Sequence, residues 1–278
     1  MDKEGEPLMG AESQPSETLQ LEVRGAVAVL RLDRPEVLNS LNEALLTDLS
    51  DALRKVAEDR SVRALLLTGT GRAFCAGADL GPGGPGGGSS LGDDVARRMD
   101  ALFNPVARQL YELPVPIVAA VNGIAAGGGV GLALAADIAI AARSASFKVV
   151  FAPALGIVPD VGASYYLPNL VGRARALGLS LLGDSLPADM AADWGLIWRC
   201  VPDEELEAEA FRLAERLAAG PTRAFARLRS VFAAAEHNDL SAQLDLEREC
   251  QRELCDEPDF VEGVRAFLEK RRPRFSGR

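Results

Sequence analysis

The chain has 278 residues, 48% hydrophobic and 25% charged, a composition typical of a soluble globular protein with a substantial core. Its net charge of −10 argues against nucleic acid as the main partner, because phosphate backbones select basic surfaces. No apolar stretch is long and uninterrupted enough to span a membrane, and the polar, acidic N-terminus lacks a signal-peptide pattern. We therefore expect neither a membrane nor a nucleic acid among its partners.

Strand-like and helical patterns alternate through the first half of the chain. They predict, in order, a disordered leader (1–17), two short strands (19–32), a helix (40–59), a buried strand (64–68), a helix (95–113), a strand (116–121), a short helix (131–136) and a strand (137–142). Ser40 and Glu43 have the spacing of a capping box at the start of the first helix. Strands that alternate with helices predict an α/β fold with a parallel sheet and right-handed crossovers.

The remaining segments are a glycine-rich stretch and a helical last third. Residues 81–92 are rich in glycine, proline and serine and predict a mobile loop, either an active-site flap or a linker. From residue 162 onward the predicted helices are 173–182, 188–194, 204–219, 222–236, 241–255 and 258–270. They form either a second layer or an oligomerisation module.

The cysteine and histidine content limits the possible chemistry. The four cysteines show no C-x-x-C spacing, which predicts reduced thiols in a cytoplasmic protein rather than disulfides or a zinc site. The one histidine, His237, lies in a polar helical stretch typical of a solvated side chain. We therefore expect no metal site, and no nucleophile activated by histidine.

The glycine run Gly127-Gly128-Gly129 lies between an apolar strand and an alanine- and leucine-rich helix. At such a turn the absence of Cβ atoms lets a ligand approach the backbone, and the first N–H groups of the helix have no internal partner. The run suits either an oxyanion site or tight packing of the helix on the sheet.

A second loop, residues 74–80 (FCAGADL), also follows a buried strand. Since both strands are expected to be neighbours in a parallel sheet, the two loops meet at one sheet edge. One backbone N–H from each loop then points at the same oxygen, and each well-placed donor is worth roughly 3 to 4 kcal/mol to a developing oxyanion.

The two loop sequences FCAGADL and NGIAAGGGVGLALAADIAIA, in this order and at this separation, resemble the crotonase (enoyl-CoA hydratase/isomerase) superfamily. The likeness continues in RLDRPEVLNSLN, ADWGLIWRCVP and the C-terminal AFLEKRRPRF. It implies a spiral of ββα units, with an acyl-CoA-binding core over residues 18–202. It further implies a helical region over residues 203–278 that covers the coenzyme A moiety and forms a homotrimer or hexamer. Coenzyme A is then part of the acyl-CoA thioester substrate, and no separate cofactor is expected.

The resemblance also implies roles for individual residues. Ala78 and Gly128 would supply the two oxyanion-hole N–H groups that bind the thioester oxygen. The implied substrate-pocket residues are Gly131, Ala152 and Val161. The implied coenzyme A contacts are Ala76, Asp79, Leu80, Phe267 and Lys270.

Both carboxylates of a hydratase are missing from this chain. By the resemblance, a hydratase carries one glutamate three residues beyond the middle glycine and another four residues before Gly156. Here these positions hold Gly131 and Ala152, which can neither activate water nor deliver a proton. The sequence therefore argues against the standard hydratase reaction.

Asp160 is the candidate catalytic residue that remains. By the resemblance, several isomerase branches place a single carboxylate at this position, including dienoyl-CoA isomerases and ring-epoxide phenylacetyl-CoA isomerases. The competing interpretation is a turn or N-cap residue before a helix. We expect the apolar neighbours Phe151, Val158 and Val161 to desolvate the carboxylate and to raise its pKa. A thioester-activated proton would then be removed and returned by Asp160, so that a double bond migrates.

Three alternatives remain open. Asp160 could support a residual hydratase, or it could be the nucleophile of a chlorobenzoyl-CoA dehalogenase-like hydrolase. The latter calls for a histidine near the site and for an aromatic residue in place of Ala152. The chain could also be an inactive acyl-CoA-binding protein. Among other side chains, we expect Cys75 to be a small apolar filler, Tyr165 and Tyr166 to be core or interface aromatics, and Trp194 and Trp198 to pack.

Overall fold

The computed structural model describes residues 16–80 and 90–277. The predicted leader and the predicted flap or linker therefore lie almost entirely outside the described residues. Ser16, the first described residue, donates a hydrogen bond to the carboxylate of Asp48 at 2.6 Å.

The larger sheet has six strands, and β1 and β2 form the hairpin predicted for residues 19–32. Apart from the antiparallel β1–β2 pair, all neighbouring strands are parallel. In spatial order the strands are β1 (Leu19–Arg24), β2 (Val27–Leu32), β3 (Ala64–Gly69), β5 (Ile117–Val121), β7 (Ile138–Ala142) and β10 (Arg199–Val201).

A second, four-stranded sheet was not predicted from the sequence. Its strands, in spatial order, are β4 (Ala73–Cys75), β6 (Ile124–Ala126), β8 (Ser146–Lys148) and β9 (Ser185–Pro187). Each has three residues, too few for an alternation of polar and apolar side chains to be recognised. In the pairs β3–β4, β5–β6 and β7–β8 the first strand joins the larger sheet and the second joins the smaller one. This confirms a spiral of ββα units and corrects the expectation of a single parallel sheet.

Ten α-helices surround the sheets in the described part of the chain. They are α1 (Glu43–Glu58), α2 (Leu91–Arg98), α3 (Asn104–Glu112), α4 (Gly128–Leu134), α5 (Ala163–Leu182), α6 (Ala188–Asp193), α7 (Leu206–Ala218), α8 (Thr222–Ala235), α9 (Leu240–Cys255) and α10 (Pro258–Leu268). Among residues 16–80 and 90–277, no helix has the length and apolar character needed to cross a membrane. Helix α5 begins ten residues before the predicted start, because its first half contains Pro168 and the kink at Gly172 that masked the helical pattern.

Helix α1 is capped by Asn42, not by Ser40 as predicted. The Asn42 side chain accepts a hydrogen bond from the N–H of Leu45 at 2.9 Å. Ser40 instead donates its hydroxyl to the carbonyl of Val37. The chain is still extended at Leu41, which forms a β-bridge with a neighbouring loop, so the helix begins later.

Helix α8 is attached to the core through Arg229. Its guanidinium donates to the carbonyls of Leu110, Tyr111 and Leu113, where α3 ends. Its Nε also lies 2.8 Å from a carboxylate oxygen of Asp137, and the two side chains are 19% and 25% exposed. Burial raises the pKa of Asp137, so this carboxylate depends on its cationic partner.

Arg229→Met is expected to lower the free energy of unfolding by about 2 kcal/mol, because it leaves a largely buried carboxylate unpaired. Arg227→Met on the same helix is the matched control, since its ion pair with Glu253 is about half exposed and should be worth less than about 0.5 kcal/mol. Urea denaturation of both variants measures the difference. Equal losses would show that the Arg229 contacts stabilise the fold no more than the half-exposed Arg227–Glu253 pair does.

Candidate active site

The first loop of the site follows β4 and is held by a parallel bridge between Leu41 and Ala78. The N–H of Leu41 donates to the carbonyl of Gly77 at 2.8 Å, and the N–H of Asp79 donates to the carbonyl of Leu41 at 3.0 Å. Because the two flanking residues make the bridge, the N–H of Ala78 points away from it. Ala78 is solvent exposed.

Asn39 fixes the segment that holds this loop. Its side chain is fully buried, accepts from the N–H of Arg34 at 2.8 Å and donates to the carbonyls of Thr70 and Ala73 at 3.0 and 2.8 Å. The guanidinium of Arg34 lies 3.0 Å from the carboxylate of Asp79 in the loop itself. Sequence reasoning missed this network. The sequence predicts a helix cap at Ser40 and a family likeness in this segment, but no role for Asn39.

The second loop joins β6 to α4. Gly127 has a φ of +52°, and its N–H donates to the carbonyl of Lys148 at 3.0 Å. Helix α4 begins at Gly128, whose N–H has no intrahelical acceptor. A Cβ placed at Gly129 would lie 2.1 Å from the carbonyl oxygen of Cys75, so this glycine allows the helix to pack tightly on β4. Within the glycine run, Gly129 therefore allows tight packing, and Gly128 provides a backbone N–H that has no intrahelical acceptor.

The two loops touch each other. The strands predicted before the two loops, residues 64–68 and 116–121, correspond to β3 and β5, which are parallel neighbours as expected. The short strands β4 and β6, which were not predicted, lead directly into the loops and are also parallel neighbours. A Cβ placed at Gly77 would lie 2.9 Å from the carbonyl oxygen of Ala126 and 3.3 Å from the nitrogen of Gly128. No described residue accepts a hydrogen bond from the N–H of Ala78 or of Gly128. This arrangement can present two backbone donors to one ligand oxygen.

Asp160 lies in a tight turn that leads into α5. Its carbonyl accepts a hydrogen bond from the N–H of Ala163 at 2.9 Å, and the two residues between have φ values of +49° (Val161) and +79° (Gly162). Helix α5 has Gly162 as its N-cap and no side-chain cap. The Asp160 carboxylate is thus not a helix cap. Its Oδ1 atom is buried and accepts no hydrogen bond from any described residue.

The Asp160 carboxylate stands beside the first turn of α4. A Cβ placed at Gly128 would lie 3.3 Å from Oδ1 of Asp160, 3.0 Å from Cγ2 of Val161 and 3.3 Å from Cδ1 of Leu41. Burial raises the pKa of Asp160 to about 6, as the sequence predicted. The expected contribution of Val158 is wrong, because this side chain is 79% exposed. Leu41 is the apolar neighbour that sequence reasoning missed.

The other predicted site residues lie in different parts of the fold. Gly131 is buried in α4, where its Cα faces the backbone of Val161. Ala152 is exposed in the π-helical turn Phe151–Leu155. Phe267 and Lys270 lie at and just beyond the C-terminal end of α10, and Phe267 is 81% exposed. Ala76 and Leu80 flank Ala78 in the first loop.

Other candidate residues do not contribute to this site as nucleophiles or ligands. Burial raises the pKa of Cys75 to about 12, so its thiol is a poor nucleophile and acts as an apolar filler. Trp194 packs against the guanidinium of Arg175, whereas Trp198 is 65% exposed and does not pack as expected. Within residues 16–80 and 90–277, no cluster of three His, Cys, Asp or Glu side chains could hold a metal ion.

A cavity of about 890 Å³ lies away from Asp160. Its walls come from α3, α5 and α8, and they include the side chains of Tyr111, Tyr165, Tyr166 and Arg229. Tyr111 and Tyr165 meet edge to face, with ring centroids 6.3 Å apart. Neither oxyanion-hole loop contributes to the lining.

Comparison with known proteins agrees with the geometry. A family model described as Enoyl-CoA hydratase/isomerase matches residues 22–278. A 1,2-epoxyphenylacetyl-CoA isomerase from Escherichia coli K12 is 46% identical over 261 residues, which cover 92% of this chain and 97% of the relative. A probable enoyl-CoA hydratase from Rhodobacter capsulatus is also 46% identical over 261 residues, covering 94% of this chain and 98% of the relative. The crystal structure of a putative enoyl-CoA hydratase/isomerase from Mycobacterium abscessus has a TM-score of 0.85 and 37% identity, and covers 94% of this chain and 100% of that one.

Proposed function

Since this chain belongs to the enoyl-CoA hydratase/isomerase family, we propose that it is an isomerase that moves a double bond in an acyl-CoA thioester. The homologues are enzymes that act on such thioesters, and the chain is an enzyme of this family. The observation that carries the isomerase proposal is the position of Asp160. Its carboxylate lies beside the Gly128 backbone, while positions 131 and 152 hold no acid–base side chain.

The mechanism is a proton shuttle by a single carboxylate. The thioester oxygen binds between the N–H groups of Ala78 and Gly128. Asp160 takes a proton from the carbon next to the thioester, and the electron pair of the broken C–H bond moves onto the oxygen as an enolate. The same carboxylic acid then returns the proton two carbons further along, and the double bond shifts. Nothing is added or lost, so one acid–base group is enough.

The raised pKa of Asp160 suits this role. A carboxylate with a pKa of about 6 is ionised at neutral pH, yet is a stronger base than an ordinary aspartate. Its buried Oδ1, which accepts no hydrogen bond from the described residues, is free to accept a proton from the substrate. The Escherichia coli relative is named as an isomerase, which supports this reaction class and adds ring-epoxide aromatic thioesters to the candidate substrates.

The test is to identify the product from a panel of thioesters. We expect a 3-enoyl-CoA to become a 2-enoyl-CoA, with the double-bond position read by NMR. The panel also contains a 2-enoyl-CoA, a ring-epoxide phenylacetyl-CoA and 4-chlorobenzoyl-CoA. A product that has gained one water would support the hydratase, and chloride release would support the dehalogenase. Binding without conversion of any thioester would support an acyl-CoA-binding protein and overturn the proposal.

The proposal extends to how the thioester is held and how the subunits assemble. We assign the coenzyme A moiety to Ala76, Asp79 and Leu80 in the first loop and to Phe267 and Lys270 at the end of α10. A homotrimer or hexamer formed by the helical region over residues 203–278 is supported by exposed apolar side chains on α8, α9 and α10, including Phe232, Leu240, Phe267 and Leu268. The core over residues 18–202 would carry the chemistry.

The proposal also includes a cytoplasmic location. Four free cysteines support it, because thiols stay reduced in the cytoplasm.

A further inference from the structure

We infer that Gly131 and Val161 are positioning residues, which hold the Asp160 carboxylate beside the oxyanion-hole donors. The inference rests on the proposed function, because it assigns Asp160 the proton transfer. Backbone packing between α4 and the turn before α5 sets the position of the Asp160 carboxylate.

The first observation is the close approach of two backbones. A Cβ placed at Gly131 would lie 2.2 Å from the carbonyl oxygen of Val161, 2.9 Å from its carbonyl carbon and 3.0 Å from its Cβ. Real Cβ atoms do not approach other atoms this closely. The Val161 carbonyl thus occupies the space in which a side chain of residue 131 would lie. Gly131 is inside a helix and has no positive φ, so space alone requires glycine here.

The second observation is the conformation of Val161. A φ of +49° is unfavourable for a β-branched residue and persists only where the surrounding structure enforces it. Val161 is buried, and its Cγ2 atom lies 3.0 Å from the place of a Cβ at Gly128. Gly128 and Gly131 are one turn apart on the same face of α4. Val161 therefore sits in a notch formed by two glycines, and its own strain shows that this contact determines the turn.

The consequence for Asp160 follows from its place in the chain. Asp160 is bonded directly to Val161, and its carbonyl closes the same turn through the N–H of Ala163. Any side chain at position 131 must displace the Val161 carbonyl and with it the carboxylate. A glutamate at position 131 would therefore not restore a hydratase in this chain. It would remove the base from its place.

The test compares Gly131→Ala with Gly178→Ala. The first adds a methyl group where the Val161 carbonyl lies, and the second adds one where no atom is within 4 Å. We expect Gly131→Ala to lower kcat roughly 10²-fold with KM changed less than about threefold, because a displacement near 1 Å costs about this much. We also expect the pH profile of its kcat to move toward the ordinary aspartate range, since the carboxylate leaves its buried place. Gly178→Ala should behave as the wild type in all three measurements.

Val161→Gly is the second variant, in case Gly131→Ala does not fold. Glycine adopts the left-handed conformation readily, so the fold should tolerate it. The side chain that fits the notch is lost, and we expect kcat to fall at least about fivefold with KM unchanged. Full kcat and an unchanged pH profile in Val161→Gly, or in a folded Gly131→Ala, would overturn the inference. An active Asp160→Asn variant would overturn the proposed function instead, which keeps the two failures distinct.

Discussion

Asp160→Asn is expected to lower kcat for double-bond migration by about 10³-fold while thioester affinity stays within about threefold of the wild type. Asparagine has the shape of aspartate but can neither take nor return the proton. The donors at Ala78 and Gly128 belong to the backbone, so the substitution leaves the binding of the thioester oxygen intact. Steady-state kinetics and titration calorimetry with an unreactive acyl-CoA measure the two quantities. Isomerase activity close to that of the wild type would contradict the mechanism.

The same variant also tests the environment of the carboxylate. Because the pKa of Asp160 is about 6 and the base must be ionised, wild-type kcat should fall as the pH drops through 6.

The raised pKa of Asp160 also affects stability. Because folding raises the pKa of this carboxyl group, the folded state prefers the protonated form. The contribution of the protonated group to stability is therefore complete below about pH 4 and is lost as the pH rises through 6. Asp160→Asn should thus be more stable than the wild type at pH 8, on the order of 1–2 kcal/mol after allowing for partial exposure. The difference should vanish below pH 4, as urea denaturation at both pH values can check.

Asn39→Ala is expected to lower the free energy of unfolding by about 3 kcal/mol. The substitution removes three hydrogen bonds of a fully buried side chain and leaves the N–H of Arg34 without its acceptor. Asn39 also has a φ of +56°, which asparagine tolerates better than alanine. Since the same segment clamps the loop that carries Ala78, kcat should fall as well.

Asn42→Ala is the control, because Asn42 belongs to the same segment but makes one capping hydrogen bond. It should cost about 1 kcal/mol and leave kcat unchanged. Chemical denaturation of both variants, followed by kinetics at a temperature where both are folded, gives the comparison. If the two substitutions had equal effects on stability and kcat, Asn39 would not have the role described.

The sequence predicted those features of the site that depend on residues close together in the chain. The glycine turn, the loop at residues 74–80 and Asp160 each follow a recognisable local pattern. The two loops lie together as expected, although β4 and β6, whose parallel pairing brings them together, were not predicted. The raised pKa of Asp160 was also predictable, because the buried Val161 follows it directly in the chain.

The features that were missed depend on contacts between distant segments. Three-residue strands such as β4 and β6 show no periodicity, and they are recognised only through their pairing with each other and with β8. Leu41 contacts the site through a bridge to a residue 37 positions further along, which no local pattern reveals. Val158 is close to Asp160 in sequence, but the turn directs it into solvent. Where the backbone reverses direction, proximity in the chain does not predict which side chains pack against Asp160.

The close approach of the Val161 carbonyl to Gly131 also limits how this site can change by mutation. A side chain can enter position 131 only after the turn at residues 160–163 has moved. The effect of a substitution at residue 131 therefore depends on which residue occupies position 161, and the two effects are not additive. A lineage that passes from one-carboxylate to two-carboxylate chemistry must change the turn first. A chain that acquires the second carboxylate first loses the base it already has.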